Sequence, residues 1–215
     1  MSLHILDNRL WFPNVNDALE DGLLAIGGDL SAERLLLAYK KGIFPWYDGN
    51  LPLWWCPNPR FVLYPHKLKI STSMKQIFKR NTFVFTTNKA FEQVMRRCMM
   101  MKRKDQDGSW INDDVISAYT KLNKMEYAHS AETWLSGKLV GGLYGIRMGK
   151  MFFGESMFSD ESNASKYAFI SYVKQLIAEG IVLIDCQVYT PHLESLGAEM
   201  ISRNLFLTFL SANIT

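Results

Sequence analysis

A carboxylate interrupts the apolar pattern of residues 151–158, MFFGESMF. The alternation of a strand would place Glu155 on one face with Met151, Phe153 and Met157. A carboxylate among apolar neighbours costs free energy unless it is paired. We therefore expect Glu155 to lie at the mouth of an apolar pocket, where it meets a cation.

A second apolar stretch, residues 182–188 (VLIDCQV), carries Asp185 and Gln187 two positions apart. Side chains two apart in a strand project from the same face. An edge strand with its polar side in water would explain them, but the apolar neighbours favour the interior. A buried Asp beside an amide is a candidate proton acceptor or orienting group, so this pair is our catalytic hypothesis.

Several familiar catalytic motifs are missing from the sequence. It has no G-x-x-x-x-G-K-[ST], no G-x-G-x-x-G after a strand, no G-x-S-x-G elbow and no paired Cys or His at metal-ligand spacing. The four histidines are isolated, and the three cysteines are odd in number and far apart. We expect neither a metal site nor a disulfide framework.

The elements that must position these residues follow an α+β order. The first sixty residues are rich in turns and hold one helix, which Ser31 caps and Gly42 ends. Helical spacing then predicts helices near 71–80, 88–101 and 112–122, with a strand at 82–86 and a loop at 105–108.

Period-two alternation predicts an antiparallel meander over residues 128–135, 139–148 and 151–158. Gly141, Gly142 and Gly145 weaken its second strand, which suits a close approach by a ligand or another backbone. The remaining predicted elements are a helix over 163–179 capped by Ser162 or Asn163, a strand over 182–188, and short helices near His192 and after Ser202.

Length and composition exclude several protein classes. The 215 residues are 48% hydrophobic, which is enough for one main packed domain with a small appendage. No apolar run approaches the roughly 18 residues of a membrane span. The polar residues His4, Asp7 and Arg9 are unlike a signal-peptide core. We expect a soluble, cytosolic protein.

The net charge of +3 hides a basic block. Residues 60–104 contain twelve Lys or Arg and one acidic residue, Glu92, whereas the rest of the chain contains twelve basic and twenty acidic residues. Such a block favours a polyanionic partner, with nucleic acid first, although solvated basic helix faces would give the same count.

Over about residues 11–210 the sequence resembles the bacterial leucyl/phenylalanyl-tRNA–protein transferases. Nine short segments, in order, carry the resemblance: 22–30 (GLLAIGGDL), 38–46 (AYKKGIFPW), 54–60 (WWCPNPR), 128–132 (AHSAE), 139–145 (LVGGLYG), 153–159 (FGESMFS), 163–166 (NASK), 184–187 (IDCQ) and 195–198 (SLGA). So many matches in order on one chain are a specific signal.

The resemblance implies a fold, a reaction and its partners. The fold would be α+β, with a small N-terminal α/β domain at residues 1–61 and a GCN5-related N-acetyltransferase-like domain at 62–215. The enzyme would move Leu, also Phe and less well Met, from aminoacyl-tRNA to a protein beginning with Arg or Lys, marking it for the N-degron pathway. It implies a cytoplasmic monomer without cofactor or membrane contact.

The resemblance also assigns roles residue by residue. Asp185 and Gln187 match the catalytic pair that activates the attacking α-amine, and Glu155 matches the residue near the acceptor's N-terminus. The aromatic positions around the terminal adenosine are Tyr39, Trp46, Trp110 and Tyr119, with Thr190 close by. The pocket for the transferred side chain is Met157, Phe169, Tyr172 and Ile184, and the tRNA contacts are Lys75, Lys79 and Arg80.

The departures from the family pattern are few. Cys56 and Asn58 stand where Ser and Asp are usual, and Asn123 replaces a common His. Thr190 replaces a common Asn, which affects the geometry expected at the adenosine.

Two other functions remain open on the residues. An acyl-CoA N-acetyltransferase of the same fold is the first, but 158–163 (FSDESN) stands where such enzymes carry a Q/R-x-x-G-x-G/A pyrophosphate loop. A non-catalytic RNA-binding module is the second, and it leaves Asp185, Gln187 and Glu155 unexplained.

The transferase reaction implied by the resemblance moves an acyl group from an ester to an amine. This transfer is downhill in free energy and requires neither ATP nor metal.

Overall fold

The computed structural model describes residues 3–47, 49, 51–101 and 110–214. The expected loop at 105–108 and the basic residues Lys102, Arg103 and Lys104 lie outside that range. None of the described helices is both long enough and apolar enough to span a bilayer.

A small four-stranded sheet forms the N-terminal unit. Its elements are β1 (His4–Leu6), β2 (Leu23–Gly27), α1 (Ala32–Lys40), β3 (Phe44–Pro45) and β4 (Leu53–Trp55), and the strand order is β1-β2-β4-β3. The predicted helix cap is confirmed, because the Ser31 side chain accepts a hydrogen bond from the Arg34 amide. Gly42, at φ +75°, ends the helix where a Cβ would meet Phe206.

A seven-stranded sheet carries the rest of the chain. Its elements are β5 (Arg60–Leu63), α2 (Thr72–Arg80), β6 (Val84–Thr87), α3 (Phe91–Met100), α4 (Asp113–Lys124), β7 (Ala128–Leu135), β8 (Lys138–Met148), β9 (Met151–Ser159), α5 (Ala164–Ala178), β10 (Leu183–Gln187), α6 (Pro191–Ser195), β11 (Glu199–Ile201) and α7 (Arg203–Asn213). The strand order is β11-β5-β10-β9-β8-β7-β6, and the α+β class and the meander β7-β8-β9 are confirmed.

The two sheets are joined at β5. Arg60 begins this strand, which pairs with β10 and β11 in the larger sheet. A division between residues 61 and 62 therefore falls inside a strand. The apolar run from Phe61 to Leu63 explains why, since it forms a buried central strand directly after the proline-rich segment.

Apolar side chains pack on both faces of the larger sheet. Successive residues of β10 fall in different clusters: Leu183 packs with the N-terminal unit, α3, α4 and α7, and Ile184 packs with α2 and α5. The first cluster runs from Leu6 to Leu210, so the two units share one continuous core.

The start of α5 packs closely against β8. A Cβ at Gly141 would lie 2.7 Å from the Ala164 carbonyl carbon, so the glycine admits another backbone, as expected. Asn163 is the N-cap residue of α5, one of the two positions predicted, but the expected side-chain hydrogen bond is not made. Asn163 has φ 68° and makes no side-chain cap, and the Ser159 hydroxyl instead accepts from the Ser165 amide at 3.1 Å.

Candidate active site

Two β-bulges in neighbouring strands create the site. In β9 the register shifts so that Glu155 has no partner in β8, and in β10 it shifts so that Cys186 has none in β5. The parallel pairing of β9 with β10 ends at Phe153 and Asp185. Beyond these residues the strands no longer pair, and a cavity lies between them.

The bulges correct the simple strand alternation of the sequence. Phe153 packs in the cluster shared with the N-terminal unit, whereas Met157 packs against the cluster around α5. The expected common face of these two residues is therefore wrong, because the extra residue at Glu155 inverts the alternation. Gln187 has φ 65°, so the β10 alternation is interrupted as well.

The cavity has a volume of about 460 Å³ and walls from both units. The expected residues that line it are Trp46, Trp110, Glu155, Met157, Phe169, Ile184, Gln187 and Thr190. Residues not foreseen by the sequence analysis also line it, among them Phe44, Leu143, Phe152, Cys186 and His192. Its walls are mostly apolar, which suits a small hydrophobic group.

Four of the residues expected at the active site do not line the cavity. Tyr39 and Tyr119 are buried behind Glu155, and Tyr172 packs edge-on against Phe152 at 5.1 Å between ring centroids. Asp185 is fully buried and also lies outside the wall. Each of these side chains reaches the site through a neighbour.

Glu155 is the centre of a hydrogen-bond network. Tyr39 donates to its Oε1 at 2.7 Å, Gln187 Nε2 donates to the same oxygen at 2.9 Å, and Tyr119 approaches Oε2 at 3.5 Å. The Tyr39 and Tyr119 hydroxyls are 2.5 Å apart. The network therefore joins α1, α4, β9 and β10.

The surroundings of Glu155 raise the pKa of its carboxyl into the region of neutral pH. Burial, together with the negative charge of Asp185, raises the pKa of Glu155 to about 8, although hydrogen bonds from Tyr39 and Gln187 and the Arg60 cation oppose the rise. Burial and the Glu155 charge raise the pKa of Tyr39 and of Tyr119 well above the ordinary value. Glu155 is thus the group in this network suited to gain and lose a proton.

Asp185 is held by a buried arginine. Arg60 Nε donates to Asp185 Oδ1 at 2.8 Å and Arg60 Nη2 donates to Oδ2 at 2.6 Å. The backbone N–H of Gln187 also donates to Asp185 Oδ1, at 2.9 Å. Sequence reasoning missed Arg60, although a charge at the start of the apolar strand 60–63 is the same signal that singled out Asp185.

The other reactive side chains on the wall offer less chemistry. Burial, with the Asp185 charge, raises the pKa of the Cys186 thiol, which keeps it protonated near neutral pH. Burial and the Lys166 charge lower the pKa of His192. Within the described ranges, no group of three or more His, Cys, Asp or Glu could hold a metal ion.

The predicted tRNA contacts lie together on α2. Lys75, Lys79 and Arg80 are exposed, and none of them forms an ion pair within the described part of the chain. Other members of the basic block are already paired: Arg60 with Asp185, Arg96 with Glu92, and Arg97 with Asp160. Part of the positive charge of the block is therefore neutralised by carboxylates within the described residues.

Two family models match this chain. The family model described as "Leucyl/phenylalanyl-tRNA protein transferase" matches residues 62–211, and the model of the N-terminal domain of the same family matches residues 28–58.

Curated relatives with this name cover nearly the whole chain. The protein from Syntrophobacter fumaroxidans is 51% identical over 215 residues, with 100% of this chain and 92% of its own length covered. The one from Christiangramia forsetii is 53% identical over 211 residues, with 97% and 100% covered. The one from Flavobacterium psychrophilum is 50% identical over 209 residues, with 97% and 99% covered.

Solved structures show more distant likenesses. L-PGS from Bacillus licheniformis has a TM-score of 0.42 and 13% identity, covering 80% of this chain and 57% of its own. A GCN5-related N-acetyltransferase-like protein from Streptococcus suis has a TM-score of 0.39 and 12% identity, covering 83% and 68%. Nothing about the activity follows from these two.

This α+β protein carries carboxyl and amide side chains around an apolar cavity between separated strands, and its family models and curated relatives make it a transferase. The chain belongs to the leucyl/phenylalanyl-tRNA–protein transferase family. The family resemblance inferred from the sequence is confirmed.

Proposed function

We propose that this enzyme transfers Leu, also Phe and less well Met, from aminoacyl-tRNA to the N-terminal α-amine of proteins that begin with Arg or Lys. The product would be a degradation signal for the N-degron pathway. One observation carries the proposal: a single cavity combines an apolar wall with the partly buried carboxyl of Glu155. An apolar donor side chain and a cationic acceptor would each find a matching surface there.

The apolar wall supports a Leu or Phe donor. Met157, Phe169 and Ile184 line it, and Ile184 is almost fully buried. A pocket of this kind selects by size and shape, and one methylene is worth about 1–3 kcal/mol. We expect Met to be accepted poorly and the β-branched Ile and Val still less well.

The polar end supports a cationic acceptor. Glu155 lines the cavity, and a bound cation would favour its ionised form by lowering its pKa. An N-terminal Arg or Lys brings positive charge to this position. Trp46 and Trp110 also line the cavity and supply flat faces on which a terminal adenosine could stack.

The reaction in this proposal is aminolysis of an ester. The neutral α-amine attacks the aminoacyl carbonyl, a C–N bond forms, the C–O bond to the ribose breaks, and the amine proton ends on the released tRNA oxygen. Holding both substrates in one cavity supplies most of the acceleration. In this proposal the enzyme uses no cofactor and acts as a monomer in the cytoplasm.

Asp185 and Gln187 have different parts in this scheme. Gln187 lines the cavity, and its side-chain amide can touch the substrates. Asp185 lies behind Gln187 and accepts a hydrogen bond from the Gln187 backbone N–H at 2.9 Å. Asp185 would therefore act through Gln187 rather than receive a proton directly. Glu155, as a carboxylate, is the proton acceptor that lines the cavity.

The test is to incubate the enzyme with labelled leucyl-tRNA and a peptide that begins with Arg. We expect a peptide extended by N-terminal Leu, and no product when the Arg is N-acetylated or replaced by Glu. Acetyl-CoA replaces leucyl-tRNA in a parallel reaction. Acetylation of the peptide without Leu transfer would favour an acetyltransferase, and tRNA binding without either product would favour an RNA-binding module.

A further inference from the structure

The guanidinium of Arg60 is buried with only 1% of the residue exposed, and it grips Asp185 with two parallel hydrogen bonds. Two aromatic rings also pack against it. The carbon at the centre of the guanidinium lies 4.6 Å from the ring centroid of Phe44 and 4.6 Å from that of Phe206. Phe44 belongs to the N-terminal sheet and Phe206 to α7. Arg60 therefore joins three parts of the fold at one point.

Two further hydrogen bonds connect this point to the cavity. The backbone N–H of Gln187 donates to Asp185 Oδ1 at 2.9 Å, and the side-chain Nε2 of Gln187 donates to Glu155 Oε1 at 2.9 Å. The backbone of Gln187 has φ 65°, in the left-handed region that residues other than glycine rarely adopt. An unfavourable backbone of this kind persists only where its surroundings hold it. The contacts that hold Gln187 are its pairing with Phe61, its side-chain bond to Glu155 and its backbone bond to Asp185, whose carboxylate Arg60 fixes.

We propose that Arg60 is a positioning residue for the transfer reaction, which sets the conformation of Gln187 through Asp185 and so places Gln187 and Glu155 for the two substrates. This inference rests on the proposed function. It goes beyond that function by making the site geometry depend on contacts of the N-terminal sheet and of α7 with a residue outside the cavity.

A purely structural ion pair is the alternative, and Arg60→Lys separates the two. Lysine retains the positive charge but loses the planar fork that matches both carboxylate oxygens. Arg34→Lys is the matched control. Arg34 is also 1% exposed, but it donates to the carbonyls of Asp7 and Arg9 and to Asp29 in the N-terminal unit.

The first measurement is single-turnover transfer at saturating leucyl-tRNA and Arg-peptide, below the unfolding temperature of every variant. We expect Arg60→Lys to reduce the rate by about 100-fold, the effect of a misplacement of about 1 Å. The affinity for leucyl-tRNA should be retained. Arg34→Lys should lower the melting temperature without this loss. An Arg60→Lys rate equal to that of the control, or a loss that follows the tRNA affinity, would overturn the inference.

The second measurement is amide hydrogen exchange over residues 183–190, which does not depend on activity. Exchange at Gln187 should be faster in Arg60→Lys and unchanged in Arg34→Lys. Unchanged exchange in both variants would contradict the link from Arg60 to Gln187. A wild-type enzyme that makes no Leu-Arg product would overturn the proposed function instead, while the exchange result would still decide whether Arg60 positions Gln187.

Discussion

Gln187 Nε2 donates a hydrogen bond to Glu155 Oε1 at 2.9 Å, across the gap where β9 and β10 cease to pair. The backbone of each strand bulges at this point, at Glu155 in β9 and at Cys186 in β10. A bulge turns a side chain away from the regular alternation of a strand. The two bulges thus bring an amide and a carboxyl together at the wall of the cavity.

The first prediction concerns Asp185. Asp185→Asn keeps the shape of the side chain but removes the charge that holds Arg60 and orients Gln187. We expect the single-turnover transfer rate to fall by about 100-fold, because Gln187 is no longer fixed. Stability should fall by about 3–5 kcal/mol, because the Arg60 cation stays buried without its partner. Rapid-quench transfer and urea unfolding measure the two effects.

Binding of leucyl-tRNA provides the control for this prediction. Asp185 does not line the cavity, so the affinity of the Asp185→Asn variant for leucyl-tRNA should match that of the wild type. A full transfer rate in the folded variant would show that Asp185 has no part in the reaction.

The second prediction concerns the pH dependence of transfer. With the pKa of Glu155 at about 8, kcat/KM for the peptide should rise with pH through that region. The α-amine of the peptide also loses its proton near pH 7.7–8.0, at about the ordinary value for such a group. The plot of log kcat/KM against pH should therefore have a slope approaching two below both values.

Glu155→Gln isolates the contribution of the carboxyl to that profile. The variant should retain reduced activity with a slope approaching one, since only the peptide amine still titrates. A wild-type slope of one, or the same profile in both proteins, would mean that ionisation of Glu155 is not required.

A third prediction follows for stability. The pKa of Glu155 is raised from an ordinary 4.5 to about 8 in the folded state, so its favourable contribution is full below about pH 4.5 and is lost as the pH rises through about 8. Gln imitates the protonated carboxyl at every pH. The melting temperature of Glu155→Gln relative to wild type should therefore increase between pH 5 and pH 9.

Exposed Glu161 gives the control for the stability measurement. Glu161→Gln removes the same charge from the surface, so its melting temperature relative to wild type should stay nearly constant over this pH range. Parallel curves for Glu155→Gln and wild type would show that folding does not disfavour the Glu155 carboxylate.

Much of the scaffold could be predicted because its signals are local. The Ser31 cap, the meander β7-β8-β9 and the close backbone approach at Gly141 are each signalled by residues adjacent in sequence. The polar interruptions at Glu155 and Asp185 also marked the strands that carry the site. Charge in an apolar strand is costly, and this cost made it informative.

The partners of those charges could not be predicted from local patterns. Arg60 and Asp185 are 125 positions apart, and Tyr39 and Glu155 are 116 apart. No residue type in the strand marks the bulge at Cys186, so the apolar pattern of the sequence does not reveal it. Sequence spacing therefore indicated which residues were unusual, but the pairing of the strands determined what each one touches.

The fourth prediction concerns the basic helix α2. Exposed Lys75, Lys79 and Arg80 should contact tRNA phosphates without reading bases. Replacing each one with Ala should weaken tRNA binding and reduce the slope of log K against log salt by about 0.7–0.9. Lys150→Ala, at the turn between β8 and β9, removes an exposed charge elsewhere and should leave the slope unchanged. Equal slopes for all four variants and wild type would place the tRNA on another surface.

The fifth prediction concerns the choice of amino acid. Met157 lines the apolar wall and is only partly buried, so Met157→Ala should enlarge the cavity without a large loss of stability. Removing this bulk should raise the preference for Phe over Leu by about 10-fold, which is within the range that size selection in an apolar pocket supplies. Competition between leucyl-tRNA and phenylalanyl-tRNA for one Arg-peptide measures the ratio. Tyr172→Phe is the control, because Tyr172 packs on Phe152 outside the cavity and its hydroxyl should not affect the ratio. A ratio that changes in Tyr172→Phe but not in Met157→Ala would place the transferred side chain in a different part of the molecule.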